Sequence, residues 1–192
     1  MITIKECRKL CRKNLSEYRC RHTFNVCKQA KKLAEIHGCN VEKAQLAALL
    51  HDIAKEMPKE EMLRLFDDNA IIAKDTASRT PSVWHGVAAA IIAQTELGVD
   101  DFEILNAVAC HTAGRADMTD LDKILFLADM TSADRSYDGL KKLRRLCKKN
   151  LDVAVKTALI MNMGWLKEKN KEIDGYTLQA IESLKGVEAE DI

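Results

Sequence analysis

Residues 41–55 read V-E-K-A-Q-L-A-A-L-L-H-D-I-A-K, and the second half of this stretch is apolar on almost every side. A helix without a polar face has to be buried among other elements. The stretch therefore predicts a central helix from Val41 to about Glu56. Two polar residues, His51 and Asp52, stand near its end. The most buried helix of the chain thus also carries candidate site residues.

Helical patterns continue on both sides of that stretch. Upstream, a capping box of Thr3 and Glu6 opens an amphipathic helix, and Gly38 ends a second helix that starts at about Glu17. With only two prolines and eight glycines, the chain has too few turn residues for a many-stranded sheet. We therefore predict an all-α fold, a single compact helical bundle. Further helices are predicted from about 59 to 68, from Ser82 to Leu97, from Asp100 or Asp101 to His111, from Thr119 onward, and over about 138–149, 151–170 and 175–185, whereas 69–81 is predicted as a short helix with a loop.

Charge and cysteine content argue against several classes of protein. The formal net charge is +1 and the pI is about 7.6, whereas a dedicated nucleic-acid binder is usually strongly basic. The basic run 141–149 carries an apolar stripe, so we interpret it as one side of a packed helix and not as a nucleic-acid patch. Seven cysteines without a C-x-x-C pair indicate reduced thiols, and no segment resembles a signal peptide or a membrane span. We expect a cytoplasmic protein.

Four of the five histidines lie in apolar helical contexts. A single core histidine more often hydrogen-bonds a carbonyl than binds a metal, but here Asp52 and Asp129 lie in equally apolar helices. Burying an ionised carboxylate costs roughly several kcal/mol unless a cation or donors compensate. We therefore predict a metal site between core helices, whose nitrogen and oxygen ligands suit iron, manganese, cobalt, nickel or zinc. The histidines concerned are His22, His51, His85 and His111, and we assign no role to His37.

The order His22, His51-Asp52, Asp129 resembles the HD-domain metal-dependent phosphohydrolase superfamily, which is named after this set of residues. Five segments resemble its YqeK branch, the bacterial symmetrical bis(5'-nucleosyl)-tetraphosphatases. These segments are R-C-R-H-T, L-L-H-D-I-A-K, W-H-G, H-T-A-G-R and A-D-M-T-S-A-D-R. The similarity runs over residues 19–135 and, more loosely, through the tail.

The resemblance implies one HD domain over residues 1–192, with the motifs in 19–135 and the helices of 138–185 packed against them. It also implies a mono- or dinuclear iron centre that hydrolyses diadenosine tetraphosphate symmetrically into two ADP, using a metal-activated water. The implied metal ligands are His22, His51, Asp52 and Asp129.

Further residues are expected to act on the phosphates. We expect Lys55 to neutralise a non-bridging oxygen, and His85 and His111 to act catalytically in the same way or to orient the water. Arg115 and Arg135 offer forked donors to the distal phosphates, although a solvated loop arginine is the alternative for each. The predicted substrate-binding set is Lys55, His85, His111, Thr112, Arg115 and Arg135.

Two features depart from the branch, and several alternatives stay open. Ser132-Ala133 replaces the usual E-P, and Ala stands at 89 or 90 where the W-H-x-x-x-G pattern has Gly. One alternative is another HD nucleotide phosphohydrolase, either a nucleotidase or a cyclic dinucleotide phosphodiesterase. A second is a non-catalytic metal- or nucleotide-binding regulator that uses the basic residues 1–32 and 141–149, and a third is an iron oxygenase. The expected partner is a dinucleoside polyphosphate or nucleoside diphosphate, with neither membrane nor nucleic acid; a homodimer through the first helix is an option.

Overall fold

The computed structural model describes residues 2–70, 73–74 and 76–190. These residues form α-helices and two short 3-10 helices, and they contain no strand, so the all-α prediction is confirmed for them. The 3-10 helices span Thr76–Ser78 and Pro81–Val83. The α-helices are α1 (Ile4–Asn14), α2 (Glu17–His37), α3 (Val41–Leu50), α4 (Lys59–Asp68), α5 (Trp84–Thr95), α6 (Phe102–Cys110), α7 (Asp120–Thr131), α8 (Leu140–Leu146), α9 (Leu151–Glu168) and α10 (Gly175–Ser183).

Helix α3 lies at the centre of the molecule, as its apolar sequence predicts. It packs against α1, α2, α5, α6 and α7. Every residue from Leu46 to Leu50 is buried. These side chains belong to one hydrophobic cluster that reaches from Cys7 on α1 to Ala180 on α10. The helices that carry predicted site residues, among them α2, α5 and α7, contribute side chains to this same cluster.

Helix α3 ends earlier than the sequence predicts. The prediction extended it to about Glu56, but the α-helix stops at Leu50 and a series of tight turns follows. The imidazole Nδ1–H of His51 donates to the carbonyl of Ala48 at 2.7 Å, so that this carbonyl has a side-chain partner. The next backbone bonds are of the shorter 3-10 type, such as Ile53 N–H to the carbonyl of Leu50 at 3.1 Å.

Capping residues fix most of the other helix boundaries. The Thr3–Glu6 capping box is present, and Thr119 with Asp122 forms a second one at the start of α7. Gly38 ends α2 with a φ of 68°, a left-handed conformation that favours glycine. The prediction for Ser82 is wrong: a 3-10 turn comes first, and α5 begins at Trp84 without a side-chain cap.

The segment 69–81 was predicted as a short helix with a loop. In the described part of it, Thr76–Ser78 forms a single 3-10 turn and Pro81 begins a second one. Residues 71, 72 and 75 lie outside the described residues. The side chain of Arg79 reaches α10, where its Nη2 lies 2.9 Å from Asp174 Oδ1. This ion pair ties the segment to the C-terminal helix.

Helices α5 and α6 approach each other closely at Gly86. A Cβ atom at this position would lie 3.0 Å from the carbonyl oxygen of Ala109 and 3.1 Å from that of Val108. Backbone atoms cannot move aside as a flexible side chain can. Glycine at this position therefore permits the helix contact that brings His85 next to His111.

The C-terminal helices pack onto the rest of the bundle, with α9 against α7 and α10 against α9. The apolar stripe of the basic run is confirmed, because Leu140, Leu143 and Cys147 are buried. Arg144 of this run donates to the carbonyls of Thr131 and Ser132 at the end of α7. All seven cysteines are free. None of the helices in the described part of the chain is both long and apolar enough to cross a membrane.

Candidate metal centre

Three predicted ligands from three helices meet at one point. His22 comes from α2, His51 from the end of α3 and Asp129 from α7, and their ligand atoms all lie within 4.8 Å of one another. The two histidines are buried. Nε2 of His22 lies 3.0 Å from Oδ1 of Asp129.

Asp52 extends this group toward two further histidines. Its Oδ2 lies 3.4 Å from His51 Nε2 and 4.0 Å from His22 Nε2. Its Oδ1 faces the other way, at 3.3 Å from His85 Nε2 and 3.7 Å from His111 Nε2. The two oxygens of one buried carboxylate thus face two different sets of imidazoles.

The imidazole rings are held so that their Nε2 atoms point into the centre. Nδ1 of His51 pairs with the carbonyl of Ala48, and Nδ1 of His111 pairs with that of Val108, both at 2.7 Å. A carbonyl only accepts, so Nδ1 carries a proton in each ring, and when the ring is neutral its lone pair is on Nε2. Nδ1 of His22 lies 2.7 Å from a carboxylate oxygen of Asp134, which selects the same tautomer.

This arrangement fits a bound cation. The Nε2 atoms of His22 and His51 are buried and have no hydrogen-bond partner. Nε2 of His22 also lies 3.0 Å from an Asp129 oxygen, and this contact is favourable only when a positive charge, either a proton on Nε2 or a bound cation, lies between the two atoms. Neutral imidazole nitrogens with ionised carboxylates are the ligand set of a divalent transition metal. The residues present therefore fit a metal ion.

The two carboxylates are held in their ionised form. Burial opposes the ionisation of Asp129, but the contact with His22 and the charge of Arg135 outweigh it and lower the pKa of this carboxyl. Burial likewise opposes the ionisation of Asp52, yet the neighbouring imidazoles, His51 first, bring its pKa well below the ordinary value. The centre consequently holds two ionised carboxylates, each paired with an arginine.

The second set of imidazoles is held neutral. Burial, together with the nearby His51 and His85, lowers the pKa of His111 to about 3. Burial also lowers the pKa of His85, with a further contribution from the charge of Lys55. At neutral pH both side chains therefore act as uncharged donors, acceptors or metal ligands. The sequence-based option that these two histidines neutralise phosphate as cations does not agree with these shifts.

Lys55 and Thr112 complete this side of the centre. The Lys55 Nζ lies 3.1 Å from His85 Nε2, and burial lowers the pKa of this ammonium group. The Thr112 hydroxyl lies 3.1 Å from His111 Nε2 and 3.2 Å from His85 Nε2. Four predicted substrate-binding residues are thus brought together.

The two predicted phosphate-binding arginines have different surroundings. The guanidinium of Arg135 pairs with the Asp129 carboxylate, and its Nε donates to the Asp129 carbonyl at 2.9 Å. It lies directly beside the centre. Arg115 instead pairs with the fully buried Asp122, at 2.5 Å from Oδ2, and so is engaged by the capping box of α7.

Two residues at the centre carry no role in the sequence-based prediction. Arg19 places its Nη1 2.7 Å from Asp52 Oδ2. Asp134 holds the ring of His22 and accepts a bond from the Ser132 hydroxyl at 2.9 Å. The sequence contains the information needed to find both residues. Arg19 precedes His22 by one helical turn, and Asp134 lies in the segment A-D-M-T-S-A-D-R.

Comparisons with known proteins agree with this geometry. The family model described as HD domain matches residues 19–134. The chain is 35% identical over 162 residues to a symmetrical bis(5'-nucleosyl)-tetraphosphatase of Bacillus subtilis (strain 168), covering 84% of this chain and 87% of that protein. It is 34% identical over 175 residues to a protein of the same name from Halalkalibacterium halodurans, covering 91% and 93%.

A solved structure is similar over nearly its whole length. The crystal structure of a protein from Clostridium acetobutylicum, described as a predicted HD superfamily hydrolase involved in NAD metabolism, has a TM-score of 0.91 and 30% sequence identity. The similarity covers 97% of this chain and 98% of that one. The family match begins at Arg19, which pairs with Asp52, and ends at Asp134, which contacts His22. It therefore includes all four predicted metal ligands. The chain belongs to the HD domain family.

Proposed function

We propose that this chain is a metal-dependent hydrolase that cleaves diadenosine tetraphosphate symmetrically into two ADP. One observation supports this most directly: two orphaned imidazole nitrogens and two ionised carboxylates face one point, and a lysine and a threonine lie beside it. The first group suits a divalent cation and the second suits phosphate oxygens. The names of the two relatives described above indicate which phosphoanhydride to test first.

For the metal we propose iron, held by His22, His51, Asp52 and Asp129. The donor set also suits manganese, cobalt, nickel or zinc. The two oxygens of Asp52 face different imidazoles, which is the support for a second ion near His85 and His111. When bound, a divalent ion of this kind lowers the pKa of a coordinated water and polarises a phosphoryl oxygen.

The chain's own residues provide the remaining functions. Lys55 offers an ammonium group to a non-bridging oxygen of the phosphate chain, and the Thr112 hydroxyl donates to another. His85 and His111, held neutral, orient the attacking water through their Nε2 atoms. Water adds to one of the two central phosphorus atoms, the bridging oxygen leaves with the other half, and each product is ADP. Arg135 and Arg115 are our candidates for the distal phosphates; Arg135 pairs with Asp129 beside the centre, and Arg115 pairs with Asp122.

The extent of the domain and the cellular compartment are also proposals. We propose one HD domain over residues 1–192, in which the helices of 138–185 pack against the motifs of 19–135. The seven free cysteines agree with a reducing compartment such as the cytoplasm. A homodimer through α1 stays a prediction.

The test is one experiment with two readouts. Protein purified without chelator is analysed for metal content, and the same sample is incubated with diadenosine tetraphosphate and its products are separated by chromatography. We expect iron or a related ion, with ADP as the sole product. His37→Ala is the matched control, because His37 contacts the carbonyl of Cys147 and not the centre. Metal without ADP release, or AMP with ATP as products, would contradict the proposal.

A further inference from the structure

A groove opens beside the phosphate-binding side of the centre. Its volume is about 410 Å³, within the range of roughly 300–1,000 Å³ typical of small-molecule sites. Lys55, Thr112 and the residues around the 3-10 turn Pro81–Val83 line the groove. Helix α9 and the chain after it also line the groove, with Asn162, Trp165, Lys171 and Glu172.

Trp165 is the unusual residue of this groove. This residue is 47% exposed, whereas Trp84 is buried in the core. The Lys171 ammonium group lies 4.7 Å from the ring centroid, close enough for a cation–π interaction that holds the ring in place. An oriented, half-exposed aromatic ring in a groove is a platform on which another flat ring can stack.

The groove is continuous with the centre through two side chains. Lys55 and Thr112 line the groove and also contact His85 and His111. A molecule whose phosphates lie at these two side chains therefore has its remaining part beside Trp165. For a nucleotide, that part is the nucleoside.

We propose that one nucleoside of the dinucleotide substrate binds in this groove with its base stacked on Trp165, an inference that rests on the proposed function. Asn162 stands one helical turn before Trp165 and lines the same groove. Its amide both donates and accepts, as the polar edge of a nucleobase requires. The Glu172 carboxylate provides acceptors for ribose hydroxyls.

The experiment compares ligands with and without a base on the metal-loaded protein. ADP and inorganic pyrophosphate are titrated by calorimetry against the wild type, Trp165→Ala and Trp165→Phe, and KM and kcat are measured with diadenosine tetraphosphate. We expect Trp165→Ala to weaken ADP binding and raise KM about tenfold, from the loss of one stacking contact. Pyrophosphate binding and kcat stay the same, and Trp165→Phe, which keeps a flat ring, restores most of the ADP affinity.

Two controls separate the possible failures. Phe102 is a 69% exposed aromatic residue at the start of α6, and Phe102→Ala is expected to change none of these values. If Trp165→Ala binds ADP as the wild type does, the groove proposal is overturned while the proposed hydrolysis stands. If the wild type binds ADP through Trp165 but releases no ADP from the tetraphosphate, the proposed function fails and the nucleoside groove stands.

Discussion

Two helices of this molecule end in the same way and serve different purposes. His51 directly follows the last residue of α3 and His111 directly follows the last residue of α6, and in each case Nδ1 bonds the carbonyl three residues earlier at 2.7 Å. Each bond turns the ring so that Nε2 points to the centre. The following residue differs: it is Asp52 after α3 and Thr112 after α6. The end of α3 thus places a carboxylate at the centre and the end of α6 places a neutral hydroxyl group there, which the proposed function assigns to the metal and to the substrate.

The largest effect is expected from the end of α3. Asp52→Ala removes a buried carboxylate that lies between two sets of imidazoles, so we expect the loss of both bound metal and ADP release. Elemental analysis and the chromatographic assay measure the two losses. Asp120→Ala is a matched control, because this exposed carboxylate lies on α7. Full activity in Asp52→Ala would refute the assignment of the centre.

The next largest effect is expected from Lys55, which lies three residues after Asp52, and it distinguishes metal binding from phosphate binding. Lys55→Ala leaves the four proposed ligands in place, so we expect a normal metal content. Loss of one positioned donor to the reacting phosphate should lower kcat by about 10²- to 10³-fold. Metal content and steady-state kinetics on one preparation provide the test. If the metal is lost together with activity, Lys55 supports the centre and does not act on substrate.

A smaller effect is expected where α5 meets α6. Gly86→Ala forces a Cβ atom against two backbone carbonyls, one of which, from Val108, accepts the His111 bond. We expect a loss of roughly 1–3 kcal/mol in unfolding free energy, measured by urea denaturation, because the helices must separate. Gly164→Ala on α9 is the control, since a Cβ atom there meets nothing within 4 Å. That change should stabilise the protein by about 0.4–1 kcal/mol, and equal effects of both changes would contradict the close approach.

The smallest effect is expected at the end of α6. Thr112→Val removes one neutral hydroxyl beside His85 and His111 and keeps the shape of the side chain. We expect normal metal content and an activity lower by about 2- to 10-fold, equivalent to one net hydrogen bond of about 0.5–1.5 kcal/mol. Thr112→Ser, which keeps the hydroxyl, should retain activity in the same assay. A loss of metal in Thr112→Val would mean that the two helix ends do not differ as described.

The sequence predicts the helices and the meeting of His22, His51, Asp52 and Asp129 well, because both follow from local patterns. Neighbouring side chains on a helix diverge by about 100°, so the H-D pair could serve one site only from a helix end. The structure has such an end at Leu50, although the apolar run continues beyond it and conceals the stop.

Contacts between distant segments were less accessible to prediction. The bond between His22 and Asp134 joins residues 112 positions apart, and no local period reports it. Arg115 was expected at a phosphate because its guanidinium offers forked donors, and the sequence gives no sign of its ion pair with Asp122. Trp165 has the spacing of an ordinary helix residue, and only the packed structure leaves it exposed in a groove.

The arginines beside the two carboxylates have a consequence for how the protein acquires its metal. Arg19 pairs with Asp52 and Arg135 with Asp129, so neither acidic group lacks a cation while the centre is still empty of its ion. Small zinc domains, by contrast, stay unfolded until the ion arrives. We expect this chain to fold first and load afterwards, so that chelation and resupply exchange the ion without refolding. Which divalent ion the protein carries then depends on which metal ions are available to the folded chain.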